Sequence, residues 1–182
     1  ADHIVLAAYA GINPLREKLG LPILPLKYEL AEVILGRPNP RLQNIGFTVM
    51  DGPFWSMMPF GHGELSTLTS VGMTPVTTSL NQPSFPCQAQ RTDCSPLTLQ
   101  ECSKCPVRPV TLVRHQLQQM SRYLSVEDPF EFRESLMTVK TVLRTTEVDD
   151  ARPTLVNNDP NHPVTTVFSG KVTSIFELTE AL

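Results

Sequence analysis

The chain has 182 residues, a formal net charge of −3 and no clustered Lys/Arg run, so it is long enough to bury a core without staples and offers no basic field to a nucleic-acid backbone. Its apolar runs fall far short of the ~20 residues needed to cross a bilayer, and no charged segment precedes a signal-like core, which predicts a soluble, cytoplasmic protein. Only 18% of its residues are charged, against ~25% in typical domains, and 17 prolines imply much loop, turn and edge strand; the low charge also suits a surface that packs against another domain.

The run Ile4-Val5-Leu6-Ala7-Ala8 has the length and β-branching of a strand buried on both faces of a parallel sheet. Asn13-Pro14 then offers an N-cap and a proline at the first helical position, with Gly20 as terminator, so a short helix is expected over residues 15–19. Residues 26–35 are ambiguous. Leu26, Leu30, Val33 and Ile34 fit a helical face, whereas Leu26, Tyr28, Leu30 and Ile34 also fit one side of a strand. Residues 46–50, 54–60 and 65–71, broken at Asp51-Gly52-Pro53 and Gly61-His62-Gly63, predict an antiparallel meander.

Residues 81–106 hold Pro83, Pro86, Pro96, Pro106 and all four cysteines with no periodicity, and read as one long loop or inserted lobe. Pro109 starts a predicted helix in which Val113, Leu117, Met120 and Leu124 recur at helical spacing and lie on the sheet. Residues 136–148, with Met137, Val139, Thr141 and Leu143 on one side, predict a long strand. Residues 164–168 predict another, running through Ser169-Gly170-Lys171 into a terminal helix. The sum is an α+β chain: a mixed or antiparallel sheet with packed helices, flanked by two ends that read as pieces of an α/β layer.

The opening Ala1-Asp2-His3-Ile4-Val5-Leu6-Ala7-Ala8-Tyr9-Ala10-Gly11 resembles the Ala-Asp-x-Val-Val-x-Ala-Thr-x-Ala strand by which flavoprotein oxidoreductases leave their nucleotide-binding sheet, with Ala8 in the threonine position. Asp150-Ala151-Arg152-Pro153 and Phe168-Ser169-Gly170-Lys171-Val172-Thr173-Ser174 resemble the Gly-x-Arg-Pro and Gly-Gly-Lys-x-Thr-Thr motifs of glycerol-3-phosphate dehydrogenases and other D-amino-acid-oxidase-like enzymes. Here Ser169 replaces the first glycine and Ser174 the second threonine. Residues 28–36 and 46–75 resemble the antiparallel substrate-domain sheet of the same family, so the resemblance covers most of the chain outside the cysteine loop.

The resemblance implies the C-terminal, substrate-domain portion of a FAD-dependent oxidoreductase. It implies a substrate domain at residues 21–148, between tails of a Rossmann-like FAD-binding layer at 1–20 and 149–182, and a strand over residues 26–35. Tyr9, Ala10, Gly11, Ser169, Gly170, Lys171, Val172 and Thr173 would line the flavin, on a surface where the chain's two ends meet. Arg152 and Tyr28 would serve the substrate, an amine or hydroxy acid that gives hydride to the flavin. The pyrophosphate fingerprint is absent: the only Gly-x-Gly is Gly61-His62-Gly63, with Ser66 where the third glycine would fall. A separate N-terminal FAD-binding half is therefore an expected partner, and these 182 residues alone are expected to be colourless and inactive.

Other readings of the same residues stay open. Gly170-Lys171 is no P-loop, because Thr165 and Val172 occupy the required glycine and Ser/Thr positions; it fits an ordinary helix start as well as a turn that aims N–H groups at a ligand. Arg152, after Asp149 and Asp150, fits an exposed ion pair or a planar fork on a carboxylate. Cys87, Cys94, Cys102 and Cys105 fit structural zinc, unligated thiols or disulfides. His3, His62, His115 and His162 stand beside no nucleophile, and there is no Gly-x-Ser-x-Gly elbow, a silence compatible with a flavoenzyme whose cofactor carries the hydride chemistry. The main alternatives are a binding module organised by a four-cysteine metal loop and a structural domain of a larger assembly.

Overall fold

The computed structural model describes residues 2–50, 54–125, 129–144 and 153–170. In chain order its elements are β1 (Ile4–Leu6), α1 (Ile12–Lys18), β2 (Leu26–Arg37), β3 (Phe47–Val49), β4 (Trp55–Pro59), β5 (Ser66–Ser70), β6 (Pro75–Leu80), α2 (Val113–Met120), β7 (Glu131–Leu143), β8 (Leu155–Asn158) and β9 (Val164–Phe168). One sheet has three strands in the order β1-β9-β8; the other runs β3-β4-β5-β2-β6, with β7 also paired to β2. The architecture is thus α+β, with mixed and antiparallel sheets and few helices. The chain divides into two compact units, residues 1–29, 78–100 and 139–182 in the first, residues 30–77 and 101–138 in the second. Among the described residues no helix is long and apolar enough to cross a membrane.

The first unit holds the three-stranded sheet. β1 runs parallel to β9, with Ile4 opposite Val164 and Leu6 opposite Thr166, while β8 pairs antiparallel to β9 on its other side. Leu6, Leu21 and Val164 form a small core on which Leu15 packs. The strand buried throughout is the central β9, all five of whose residues are buried. This corrects the expectation for the opening run: β1 stops at Leu6 and is an edge strand among the described residues, with Ile4 38% and Val5 49% exposed. An apolar run records a capacity for burial, and burial itself needs other elements packed over both faces of the sheet.

α1 begins at Ile12 with Gly11 as its N-cap, so Asn13 lies inside the first turn and caps nothing. Its buried amide works as a clasp instead, with Oδ1 accepting from the Leu24 amide at 2.8 Å and Nδ2 donating to the carbonyls of Leu24 at 2.8 Å and Asn81 at 2.6 Å. Pro14 is tolerated because first-turn amides have no intrahelical partner. Gly20, at φ 71°, ends the helix in the left-handed conformation expected of it.

Glu29, on the part of β2 in this unit, lies between Lys27 at 3.1 Å and Lys140 at 3.0 Å. Burial pushes its carboxyl pKa up, but Lys140 and then Lys27 outweigh burial and hold it below the ordinary glutamate value. The folded state therefore binds this proton less readily than the unfolded chain, so the pairing stabilises above the ordinary glutamate pKa and is lost as pH falls through the depressed one. Lys140→Met is expected to cost at most ~1 kcal/mol near neutral pH, since Lys140 is partly exposed, and progressively less below about pH 4. Urea titrations followed by far-UV circular dichroism measure this; a cost that stays constant with pH would mean that the pair contributes no charge coupling.

In the second unit β3, β4 and β5 form the expected meander, with Phe47 opposite Met57, Val49 opposite Trp55 and Met57 opposite Leu68. The distal half of β2 joins it through Ile34 opposite Leu68. Residues 26–35 are therefore strand and not helix, as the family resemblance implies. Ile34, Trp55, Met57 and Leu68 are fully buried and share a core with Met120 and Phe130, against which Val113, Leu117 and Leu124 pack. The helical stripe is the expected one, but α2 starts at Val113 and not at Pro109. Residues 81–106 carry only the 3-10 turns Pro86–Gln90 and Cys102–Lys104 and one bridge between Ser95 and Thr98.

Candidate functional site

Parallel pairing of β1 and β9 puts their carboxyl ends at the same edge of the three-stranded sheet. There the chain leaves β1 into the 3-10 turn Tyr9–Gly11 and leaves β9 into Ser169-Gly170. Tyr9 ties this edge together. Its ring stacks almost parallel on Phe168, with centroids 5.9 Å apart and planes 5° from parallel. Its hydroxyl accepts from the Thr141 amide at 3.0 Å and donates to the Thr141 carbonyl at 3.3 Å. These contacts offset a backbone strain, because Tyr9 has φ 48°, a region that costs a non-glycine residue ~1–3 kcal/mol.

The small residues of the turn differ in what the fold asks of them. Ala10 is buried, whereas Gly11 has an ordinary φ of −84°, and a Cβ there would meet only the Ala8 Cβ, at 3.4 Å. Neither conformation nor packing among the described residues requires glycine at position 11. Such a position suits close approach of another molecule to the backbone. Ile4 and Val5 of β1 and Tyr9 of the turn remain exposed, and Ser169 and Gly170 are half-buried.

Polar side chains fix β9 from its flanks. Arg16, almost fully buried in α1, donates through Nε to the Pro22 carbonyl at 2.6 Å and through Nη1 to Asn157 Oδ1 at 3.3 Å and to the Thr166 hydroxyl. Burial lowers the Arg16 pKa, and the negative charge of Asp159 offsets part of that. The Thr165 hydroxyl donates to Asn158 Oδ1 at 2.6 Å and lies 2.9 Å from His3 Nε2. No local pattern marks Arg16 in the sequence, because its partners come from α1's own exit and from β8 and β9.

Tyr28 is fully buried in β2. Burial drives its phenol pKa up, and the backbone of Asn13 offsets part of this without reaching hydrogen-bond geometry with the hydroxyl. Arg152, Lys171, Val172, Thr173 and the predicted terminal helix lie outside the described residues. Of the sequence-derived site, the described residues thus bring together Tyr9 and the end of β9, with Tyr28 set inside the unit.

The zinc-loop reading is corrected. Cys87 and Cys94 belong to the first unit, Cys102 and Cys105 to the second, and none of the four is in a disulfide. Among the described residues no three His, Cys, Asp or Glu side chains converge as metal ligands. The described residues give a zinc loop no support.

No family model matches the chain, and no curated protein matches it. Among solved structures it is similar to glycine oxidase from Geobacillus kaustophilus, with 16% identity and a TM-score of 0.56 over 96% of this chain and 38% of that one. At that identity the likeness is one of fold alone. The chain spans little more than a third of the length of glycine oxidase.

Proposed function

We propose that the chain is the substrate-domain portion, with the adjoining end of the flavin layer, of a FAD-dependent oxidoreductase that takes hydride from an amine or hydroxy acid. The observation that supports this most is the parallel β1–β9 pair, separate from the six-stranded sheet, with Tyr9 stacked on Phe168 where both strands end. Ligands of α/β layers bind outside the carboxyl ends of such strands. The fold likeness to glycine oxidase adds to it.

The residues present fit a flavin in kind: Gly11 is a glycine that the fold itself does not require, in the same turn as the exposed ring of Tyr9. Tyr9, Ala10, Gly11, Ser169 and Gly170, continued by Lys171, Val172 and Thr173, would hold the ring edge. Bound flavin would supply the hydride acceptor. Arg152 would clamp the substrate carboxylate with its planar fork, which lysine cannot reproduce. Tyr28, being buried, would act from behind by supporting Asn13 and the start of α1. A partner half would supply the pyrophosphate and adenosine sites, so these 182 residues alone should be colourless.

The test is a visible absorption spectrum of the protein produced from its whole reading frame. A flavin spectrum is the expected result, and a colourless, folded protein overturns the reading. In the flavin-loaded protein, Arg152→Lys should raise the substrate KM by ~10- to 100-fold with the flavin retained, the cost of losing a charge-assisted bidentate pair. Unchanged kinetics would remove Arg152 from the site.

A further inference from the structure

We propose that Cys102 and Cys105 form a redox-active dithiol that exchanges with low-molecular-weight disulfides. The two thiols bracket the 3-10 turn Cys102–Lys104, which the Cys105 amide closes by donating to the Cys102 carbonyl at 3.2 Å. A turn closed in this way keeps its first and fourth Cα atoms within ~7 Å, matching the ~4.4–6.8 Å that a disulfide spans, and 3-10 geometry sets side chains three apart over one another.

The turn is held from both sides. Ser103, between the cysteines, accepts from the Met137 amide at 2.8 Å and donates to the Met137 carbonyl at 3.2 Å, so one hydroxyl fills a pairing position on β7. The Arg108 guanidinium donates to the Ser103 carbonyl, and the Arg108 amide donates to the Cys105 carbonyl at 3.2 Å. Both cysteines are only half-buried, which lets a small reagent approach. Cys87 and Cys94, seven positions apart in the sequence, share no turn of this kind.

With glutathione disulfide as the reagent, one protein thiolate attacks a sulfur of the small disulfide, forming a mixed disulfide and expelling one glutathione thiolate. The second protein thiolate then attacks the protein sulfur of that mixed disulfide, forming the Cys102–Cys105 bond and expelling the second glutathione. The protein dithiol gives up two electrons and two protons, and the small disulfide takes up both as two thiols.

The experiment treats the folded chain with glutathione disulfide, blocks remaining thiols by alkylation and maps the peptides by mass spectrometry. In the wild type the peptide carrying both cysteines should lose the mass of two hydrogens while Cys87 and Cys94 are alkylated. Cys102→Ser and Cys105→Ser, changes on a half-exposed turn, should each trap glutathione on the remaining cysteine, with at least ~10-fold more mixed disulfide than the wild type, because the resolving thiol is gone. A wild type that stays reduced, carries glutathione singly at either position, or links these cysteines to Cys87 or Cys94 overturns the proposal. So do single variants that trap no more glutathione than the wild type.

Discussion

Gly36→Ala should cost at least ~3 kcal/mol of stability, at the upper end of what overpacking a core does. An added Cβ at position 36 would lie 2.2 Å from Phe130 Cε1, 2.7 Å from Phe130 Cζ and 2.5 Å from the Glu131 backbone oxygen. The ring can be turned or removed, but the carbonyl belongs to β7, and on its other side Gly36 is fixed opposite Ser66 of β5. A methyl group therefore has to push two paired strands apart. Adding Phe130→Ala to Gly36→Ala should recover only a small part of the loss, because the contact with the Glu131 oxygen persists. Urea unfolding decides it, and a midpoint for Gly36→Ala within error of the wild type would falsify this picture of the β2–β7 contact.

Removing the carboxyl group of Glu32 should be comparably damaging, at ~3–4 kcal/mol for Glu32→Ala, since buried donors are left without their acceptor. Glu32 is fully buried on β2. Its Oε2 accepts from the Leu112 amide at 2.7 Å and its Oε1 from the Thr111 hydroxyl, while Thr111 Oγ1 accepts from the Val113 amide at 3.1 Å. The N-cap position of α2 is Leu112, whose side chain has no acceptor, so a strand residue performs the capping. Glu32→Gln keeps one acceptor oxygen and should cost roughly half as much. Hydrogen exchange provides the local readout: in Glu32→Ala the amides of α2's first turn should lose protection before those of β4 and β5. Equal protection in both places would mean that α2 is held by its apolar face alone.

These two positions also show what could be read from the chain and what could not. Strands β3, β4, β5 and β9 follow from short runs rich in Val, Thr and aromatic residues, and the stripe of α2 from helical spacing, because both are local properties of the sequence. The start of α2 does not, since its cap lies 80 positions away. Asn13 has the residue type of a cap, yet its amide is spent on Leu24 and Asn81, the latter 68 positions on. β6 and β8 escape for another reason: both follow turn-rich segments and lack a clear apolar alternation.

Legibility of the candidate site was uneven in the same way. The motif residues at the two chain ends direct attention to Tyr9 and Ser169, but the stacking on Phe168 and the double hydrogen bond to Thr141, 132 positions along, are matters of tertiary packing. The cysteines failed in the opposite direction. Their proximity in sequence suggested one metal sphere, while among the described residues no three His, Cys, Asp or Glu side chains converge as ligands.

Trp55 has a further use. It is the only tryptophan in the chain, fully buried in the second unit, stacked at 5.9 Å on Tyr123 and edge-on to Phe47 at 6.1 Å. Indole emission is therefore a reporter built into residues 30–77 and 101–138, and residues 1–29, 78–100 and 139–182 contain no second indole to mix with it. Denaturation followed by fluorescence reads the unit that holds Gly36 and Glu32, and circular dichroism reads both units together. Where the two traces part, the gap between them is the separate melting of the unit that holds Tyr9 and β9.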